Sequence, residues 1–178
     1  VNGARKIYPI NETDRALQGF SVSFDASVEE IWVPLSAGAT LVIGTFDIMR
    51  SGDRFSSILQ GLDITFLSCA PTLLSMVKDD IPNLKMLIFG GEVCSRDIAN
   101  RWCKEGRMVY NTYGPTEATV IATYSILQPS QEVTIGKALD GYDVLLVDDD
   151  MNVINEIDKE GEIIIGGDSI ARGYLNRD

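Results

Sequence analysis

Histidine is absent from all 178 residues. That gap alone removes a set of mechanisms, because neither a Ser-His-Asp nor a Cys-His nucleophile pair can be assembled from this chain. Cysteine is scarce. Cys69, Cys94 and Cys103 are odd in number and widely spaced, which fits reduced, buried thiols better than a disulfide frame or a zinc site. No apolar stretch approaches the roughly 20 residues of a membrane helix. Arg5 and Lys6 lead into IYPINETDR, not into the apolar region of a signal peptide. These features predict a cytoplasmic protein. Positive charge is also in deficit, since 15 Lys+Arg against 26 Asp+Glu leave a net charge of −11. An acidic surface repels nucleic acid and anionic membrane, and neither is expected as a partner. An anionic small molecule is not excluded, because a local nest of backbone N–H groups holds phosphate whatever the net charge.

What is present reads as alternating helix and strand. SVEEIWVPLSAG (27–38) predicts a helix, with Ser27 as cap, Glu30 at the capping-box spacing and Gly38 at the end. ATLVIG (39–44) predicts a short buried strand, RFSSILQGL (54–62) a helix and DITFLSC (63–69) a strand. Pro71 opens a helix over 71–79 at a position where its missing N–H costs nothing. LKMLIFGG (84–91) and RMVYNTY (107–113) predict strands around a helix over 95–106. Residues 1–20 show no assignable element. The expectation is an α/β fold: a mostly parallel sheet with flanking helices, followed by a small antiparallel β unit. The change of pattern near residue 119 begins that unit, and 128–136 form a hinge, giving subdomains 1–127 and 128–178. Asp148-Asp149-Asp150 reads as a solvated turn. Ligands of parallel sheets bind beyond the carboxyl ends of the strands, and FDAS, SCAPT, FGGEV and NTYGPTE all fall at such ends.

The decapeptide NTYGPTEATV (111–120) interrupts two apolar runs with chemically useful groups. Tyr113 offers a flat face to a purine, and Gly114 permits a sharp turn or a close ligand approach. Thr116 supplies a hydroxyl for a phosphate oxygen, and Glu117 a hard carboxylate suited to Mg2+. Gly90-Gly91-Glu92 forms an opposite wall without side chains in the way of a ring. Taken alone, the decapeptide reads equally as a common Gly-Pro turn, with Glu117 as a helix cap.

SFDASVEEIW, NTYGPTEAT and GEIIIGGDSIARGYL, in this order and at these separations, resemble successive core motifs of the adenylation domains of nonribosomal peptide synthetases. The resemblance runs from about Asp14 to Asp178. It implies a reaction in which an amino acid carboxylate attacks the α-phosphate of ATP, giving aminoacyl-AMP and pyrophosphate. The acyl group then passes to the phosphopantetheine thiol of a peptidyl carrier protein, beside condensation domains. It implies that Tyr113 stacks on adenine, that Gly90, Gly91 and Glu92 line the other face with Gly114 nearby, and that Asn111 reads the adenine edge. Thr116 then contacts the α-phosphate and Glu117 binds Mg2+. Arg172 is expected to tie the β unit to the sheet, and Gly166 and Gly167 to be turn or bulge positions.

The same resemblance implies that Asp25 pairs with the substrate α-ammonium. The remaining amino-acid positions fall on Ala26, Glu29, Ser68, Ile88, Gly90, Thr112, Val120 and Ile121. Glu29 is the departure, since most of the others are small or apolar. If it points inward, a buried carboxylate without a partner costs several kcal/mol; a cationic substrate side chain relieves that cost. The expected substrate is therefore lysine first and ornithine second, with Ser68 and Thr112 hydrogen-bonding the ammonium. The chain lacks a phosphate loop before SFDAS, the ribose-binding TGD aspartate and a lysine-bearing C-terminal lobe. It reads as the central piece of an enzyme, inactive in isolation. A D-alanine–carrier ligase, an acyl-CoA ligase and a non-catalytic nucleotide-binding scaffold module are the alternatives. Asp25 argues against acyl substrates and Glu29 against alanine.

Overall fold

The computed structural model describes residues 1–176. Helix α1 (Asn2–Ile7) precedes strand β1 (Arg15–Gln18), helix α2 (Ala26–Ser36) and strand β2 (Thr40–Ile43). Short helix α3 (Phe46–Met49) and α4 (Phe55–Gly61) lead to β3 (Phe66–Cys69), then α5 (Pro71–Ser75) and β4 (Met86–Phe89). Helix α6 (Arg96–Trp102) and β5 (Met108–Tyr113) follow. Strands β6 (Thr123–Ile126) and β7 (Lys137–Ala138) precede β8 (Tyr142–Val147) and β9 (Glu162–Gly167).

One seven-stranded sheet takes the order β2-β1-β3-β4-β5-β6-β7, and β8 and β9 form a separate two-stranded sheet. The pairs from β2 through β5 are parallel, whereas β5–β6, β6–β7 and β8–β9 are antiparallel. Alternation along the central strands divides the core between the two faces of the sheet. Leu17, Leu67, Leu87, Phe89 and Val109 face one layer with Phe55, Leu59 and Trp102. Ala16, Phe66, Met86, Ile88 and Tyr110 face the other with Tyr8 and Val33. Because β3 and β4 are buried on both faces, their sequences read as near-continuous apolar runs, interrupted only by Ser68 in β3.

Four local expectations change. Helix α2 starts at Ala26, with Asp25 at the cap and no side-chain cap bond. Ser27 lies buried inside the first turn, and Glu30 turns away to accept from Gly19 and Phe20 N–H, so no capping box forms. Strand β2 is the sheet edge and half exposed, because β1, which the sequence did not announce, takes the interior place. Strand β6 extends the large sheet by pairing with β5, and the small unit begins only at β8. Finally, residues 1–20 are not featureless: Tyr8, Ile10, Ala16 and Leu17 all belong to the core. No helix among the described residues is long and apolar enough to cross a membrane.

Candidate active site

The strand order reverses at β1, whose neighbours are β2 on one side and β3 on the other. Connections leave β1 and β2 in opposite senses there, so a crevice opens beyond the carboxyl ends of β1 and β3. Helix α2, entered directly from the loop after β1, sends Glu29 across this crevice. Its Oε2 accepts from Ser68 Oγ on β3 at 3.4 Å, and its Oε1 accepts from the Tyr8 hydroxyl at 2.7 Å. Only 6% of Glu29 is exposed, and no ion pair among the described residues includes it. Two hydroxyl donors therefore support the carboxylate, but no cation among the described residues balances it.

A cavity of about 40 Å³ lies over this point, walled by Asp25, Ala26, Glu29, Ser68, Gly90, Thr112, Val120 and Ile121. Phe20 and Phe24 complete its rim, with ring centroids 5.4 Å apart. Of the expected amino-acid positions only Ile88 is not among its lining residues; it is fully buried in the core layer beneath. Asp25 is half-buried and its side chain caps nothing, so both oxygens are available to a ligand. The Thr112 hydroxyl already donates to Phe89 O at 3.1 Å, leaving its oxygen free to accept. Glu29, Val120 and Ile121 also wall a second cavity of about 110 Å³ on the side of α1 and β8.

The adjoining cleft is larger, about 360 Å³, and shares Gly91, Thr112 and Gly114 with the acid-walled cavity. Glu92, Asn111 and Tyr113 line it from one side and Val133, Thr134 and Ile135 from the other. The Tyr113 ring is 38% exposed, enough to present a face. Asn111 Nδ2 donates to Thr134 O at 2.9 Å, which ties the two walls and leaves Oδ1 to accept. Glu92 accepts from Thr72 N–H at 3.3 Å. Glycines at the strand ends leave room that a side chain would take. Gly91 has φ +77°, in the left-handed region, with Phe24 3.7 Å from where a Cβ would stand, and a Cβ on Gly90 would stand 2.9 Å from Thr112 Oγ1.

Thr116 and Glu117 line neither space. They form an exposed single turn, Thr116–Ala118, at the edge of the cleft. The Tyr174 hydroxyl donates to Glu117 Oε1, which holds that carboxyl below its usual range, and Ala171 N–H donates to Glu117 O at 2.7 Å. The C-terminal ARGY stretch is thus fastened to this turn through Ala171 and Tyr174, and Arg172 forms no side-chain hydrogen bond among the described residues. Immediately after it, Thr119 and Val120 have φ values of +55° and +76°. Consecutive left-handed β-branched residues are strained, and such strain collects at functional turns. Among the described residues no group of three or more acidic or cysteine side chains is set to hold a metal. A cation at Glu117 would take most of its ligands from phosphate and water, as Mg2+ does.

Burial pushes Glu29 up from 4.5 to about 7 against the pull of the Tyr8 and Ser68 hydroxyls. Burial also raises Glu30 to about 7, although Gly19 and Phe20 N–H donate to it at 3.0 and 2.9 Å. Both folded values lie above the unfolded ones, so between about pH 4.5 and 7 the native chain holds more protons than the unfolded chain. Stability is then greatest below that window and falls as pH rises through it, by roughly 3 kcal/mol per fully shifted carboxyl. Asp80, Asp140 and Asp148 are shifted downward, so their contributions change only below this window. Urea midpoints are expected to fall between pH 5 and pH 8, and the Glu29→Gln variant to show a shallower fall.

Several of these groups were silent in the sequence. Tyr8 lies 21 positions from Glu29 with no motif around it. Phe24 opens the FDAS stretch and Phe20 stands four residues before it, both within reach of the same argument that found Asp25. The Val133–Ile135 wall lay in a segment read as a hinge.

Comparison with known proteins adds to this geometry. The family profile described as AMP-binding enzyme matches residues 1–175. Delta-poly-L-ornithine synthetase of Acinetobacter baumannii (strain AB307-0294) is 40% identical over 177 residues, covering 99% of this chain and 13% of that protein. Bacitracin synthase 3 of Bacillus licheniformis is 37% identical over 178 residues, covering 99% of this chain and 3% of that protein. The solved structure of holo-PA1221, a nonribosomal peptide synthetase protein with adenylation and PCP domains bound to a vinylsulfonamide inhibitor, superposes with a TM-score of 0.85. It is 27% identical and covers 96% of this chain and 31% of that one. The chain spans a small fraction of these relatives' lengths.

Proposed function

The chain belongs to the AMP-binding enzyme family, and we propose that it forms the amino-acid and adenine-binding core of an adenylation domain in a nonribosomal peptide synthetase. The whole protein would join a basic amino acid, lysine or ornithine, to AMP from ATP, release pyrophosphate, and pass the acyl group to a carrier-protein phosphopantetheine beside condensation domains. The observation that carries this reading is the Glu29 carboxylate, buried without a cation on the wall of the cavity that also holds Asp25.

Each residue has a task in that reaction. Tyr113 stacks on adenine with Gly90 and Gly91 opposite, and Asn111 Oδ1 accepts from the adenine amino group. Asp25 pairs with the substrate α-ammonium, a charge-assisted contact that rejects simple carboxylic acids. Ala26, Ser68, Thr112, Val120 and Ile121 shape the side-chain channel toward Glu29. There a side-chain cation about 4 Å away gains roughly 4 kcal/mol at an effective dielectric near 20. Thr116 and Glu117 stand where the phosphates leave the cleft, and Mg2+ at Glu117 would neutralise phosphate charge. Positioning and fixed dipoles supply most of such a reaction. The 40% identical relative is named as a delta-poly-L-ornithine synthetase, in keeping with a basic substrate.

Amino-acid-dependent pyrophosphate exchange by the full-length protein tests this. Lysine or ornithine is expected to drive exchange well above leucine and phenylalanine; a preference for either neutral amino acid would end the reading.

A further inference from the structure

The Glu29 carboxylate is held by a residue outside every position expected to touch the substrate. Tyr8 is 2% exposed, and its hydroxyl donates to Glu29 Oε1 at 2.7 Å. Its ring is wedged edge-on between Tyr110, with centroids 4.9 Å apart at 74°, and Phe66, 6.3 Å apart at 69°. The backbone beside it is fixed too, since Tyr110 Oη donates to Ile7 O at 2.8 Å. The phenol therefore has little freedom to leave the carboxylate. Ser68, the other donor, stands at the longer distance of 3.4 Å.

We propose that Tyr8 is a positioning residue that sets selectivity for a cationic substrate side chain, by fixing the Glu29 carboxylate at the cavity wall and stabilising its charge. This rests on the reading of Glu29 as the acid that meets that side chain. A hydrogen bond to an ionised carboxylate favours the ionised form. Tyr8 remains a donor throughout, because burial and the adjacent Glu29 raise its own ionisation well above the ordinary range. Glu29 needs that help, since burial has already brought its pKa to about 7. The other ionisable groups around it are few. Glu30 lies next on the same helix and Asp25 at its head, Tyr110 stands behind Tyr8, and Asp140 faces Glu29 across the second cavity. None of these donates a hydrogen bond to the carboxylate among the described residues, whereas Tyr8 does.

The experiment compares wild type, Tyr8→Phe, Glu29→Gln and the double variant of the full-length protein in lysine-dependent pyrophosphate exchange from about pH 6 to 9. Tyr8→Phe keeps the ring and removes one oxygen. It is expected to lower kcat/KM for lysine about fivefold near pH 7 and nearly tenfold near pH 6, equivalent to a rise of about one pKa unit in Glu29 from its value of about 7. The loss should shrink as pH rises and the carboxylate ionises again. In the Glu29→Gln background, Tyr8→Phe should cost nothing further. A purely structural Tyr8 would instead give a loss independent of pH that persists in the double variant, and that result overturns the proposal. So does a Tyr8→Phe profile identical to wild type. If wild type itself shows no preference for basic amino acids, the underlying reading of Glu29 falls, and the proposal with it.

Discussion

Replacing Glu29 with Gln in the full-length protein is expected to reduce kcat/KM for lysine at least 100-fold near pH 8, while leaving activation of neutral amino acids unchanged or improved. The size follows from what the substitution removes. Breaking a buried ion pair by taking away one partner costs about 3–5 kcal/mol, much of it the penalty on the charge left behind, and each 1.4 kcal/mol is tenfold. In the free protein the direction is opposite. Glu29 is 6% exposed and lacks a cation, so neutralising it stabilises the unliganded fold wherever the carboxyl would be ionised. Thermal midpoints above about pH 7 should therefore rise in the variant that binds lysine worse. A structural carboxylate would behave otherwise, its loss lowering stability without altering substrate preference. Pyrophosphate exchange and thermal unfolding on the same pair of proteins separate the two cases.

Gly114→Ala is expected to abolish measurable amino-acid activation and to weaken ATP binding at least tenfold. Gly114 belongs to the walls of both spaces, the acid-lined cavity and the cleft beside Tyr113. A Cβ there would stand 2.7 Å from Ala122 N, 2.7 Å from Val120 O and 2.9 Å from Ile121 Cα. These are backbone atoms, so no rotamer change relieves the contact and the strained Thr119–Val120 turn must move. Overpacking of this kind costs about 1–3 kcal/mol in stability. The functional loss should exceed what that alone produces, because the displaced segment carries Val120 and Ile121. Gly61→Ala serves as control, since nothing lies within 4 Å of its added carbon, and it should leave activity as in wild type. Wild-type exchange by Gly114→Ala would show that the turn does not position the substrate.

The middle of the fold is legible in the sequence because β3, β4 and β5 are short, largely apolar and buried strands separated by helical segments. Ser95 capping α6 through Ile98 N–H, and Pro71 opening α5, behave as their chemistry dictates. Strand β1 was hidden because only Ala16 and Leu17 of its four residues are buried, between Arg15 and Gln18. Helix α1 was hidden because it is six residues long and no side chain caps it. Both omissions matter to the site: β1 makes one side of the switch point, and the segment after α1 supplies Tyr8. The acid pair Glu29-Glu30 was visible, but not its division of labour. Glu29 reaches the cavity wall while Glu30 holds Gly19 and Phe20 N–H, and only the three-dimensional course of the loop after β1 decides which does which.

A structure of the full-length protein with a non-hydrolysable lysyl-adenylate analogue tests the central claim most directly. The account predicts adenine against the Tyr113 ring, the α-ammonium at Asp25 and the side-chain ammonium within about 4 Å of Glu29, all in one continuous density. An analogue whose side chain turns away from Glu29, or whose adenine lies outside the cleft between Tyr113 and Gly91, would contradict it.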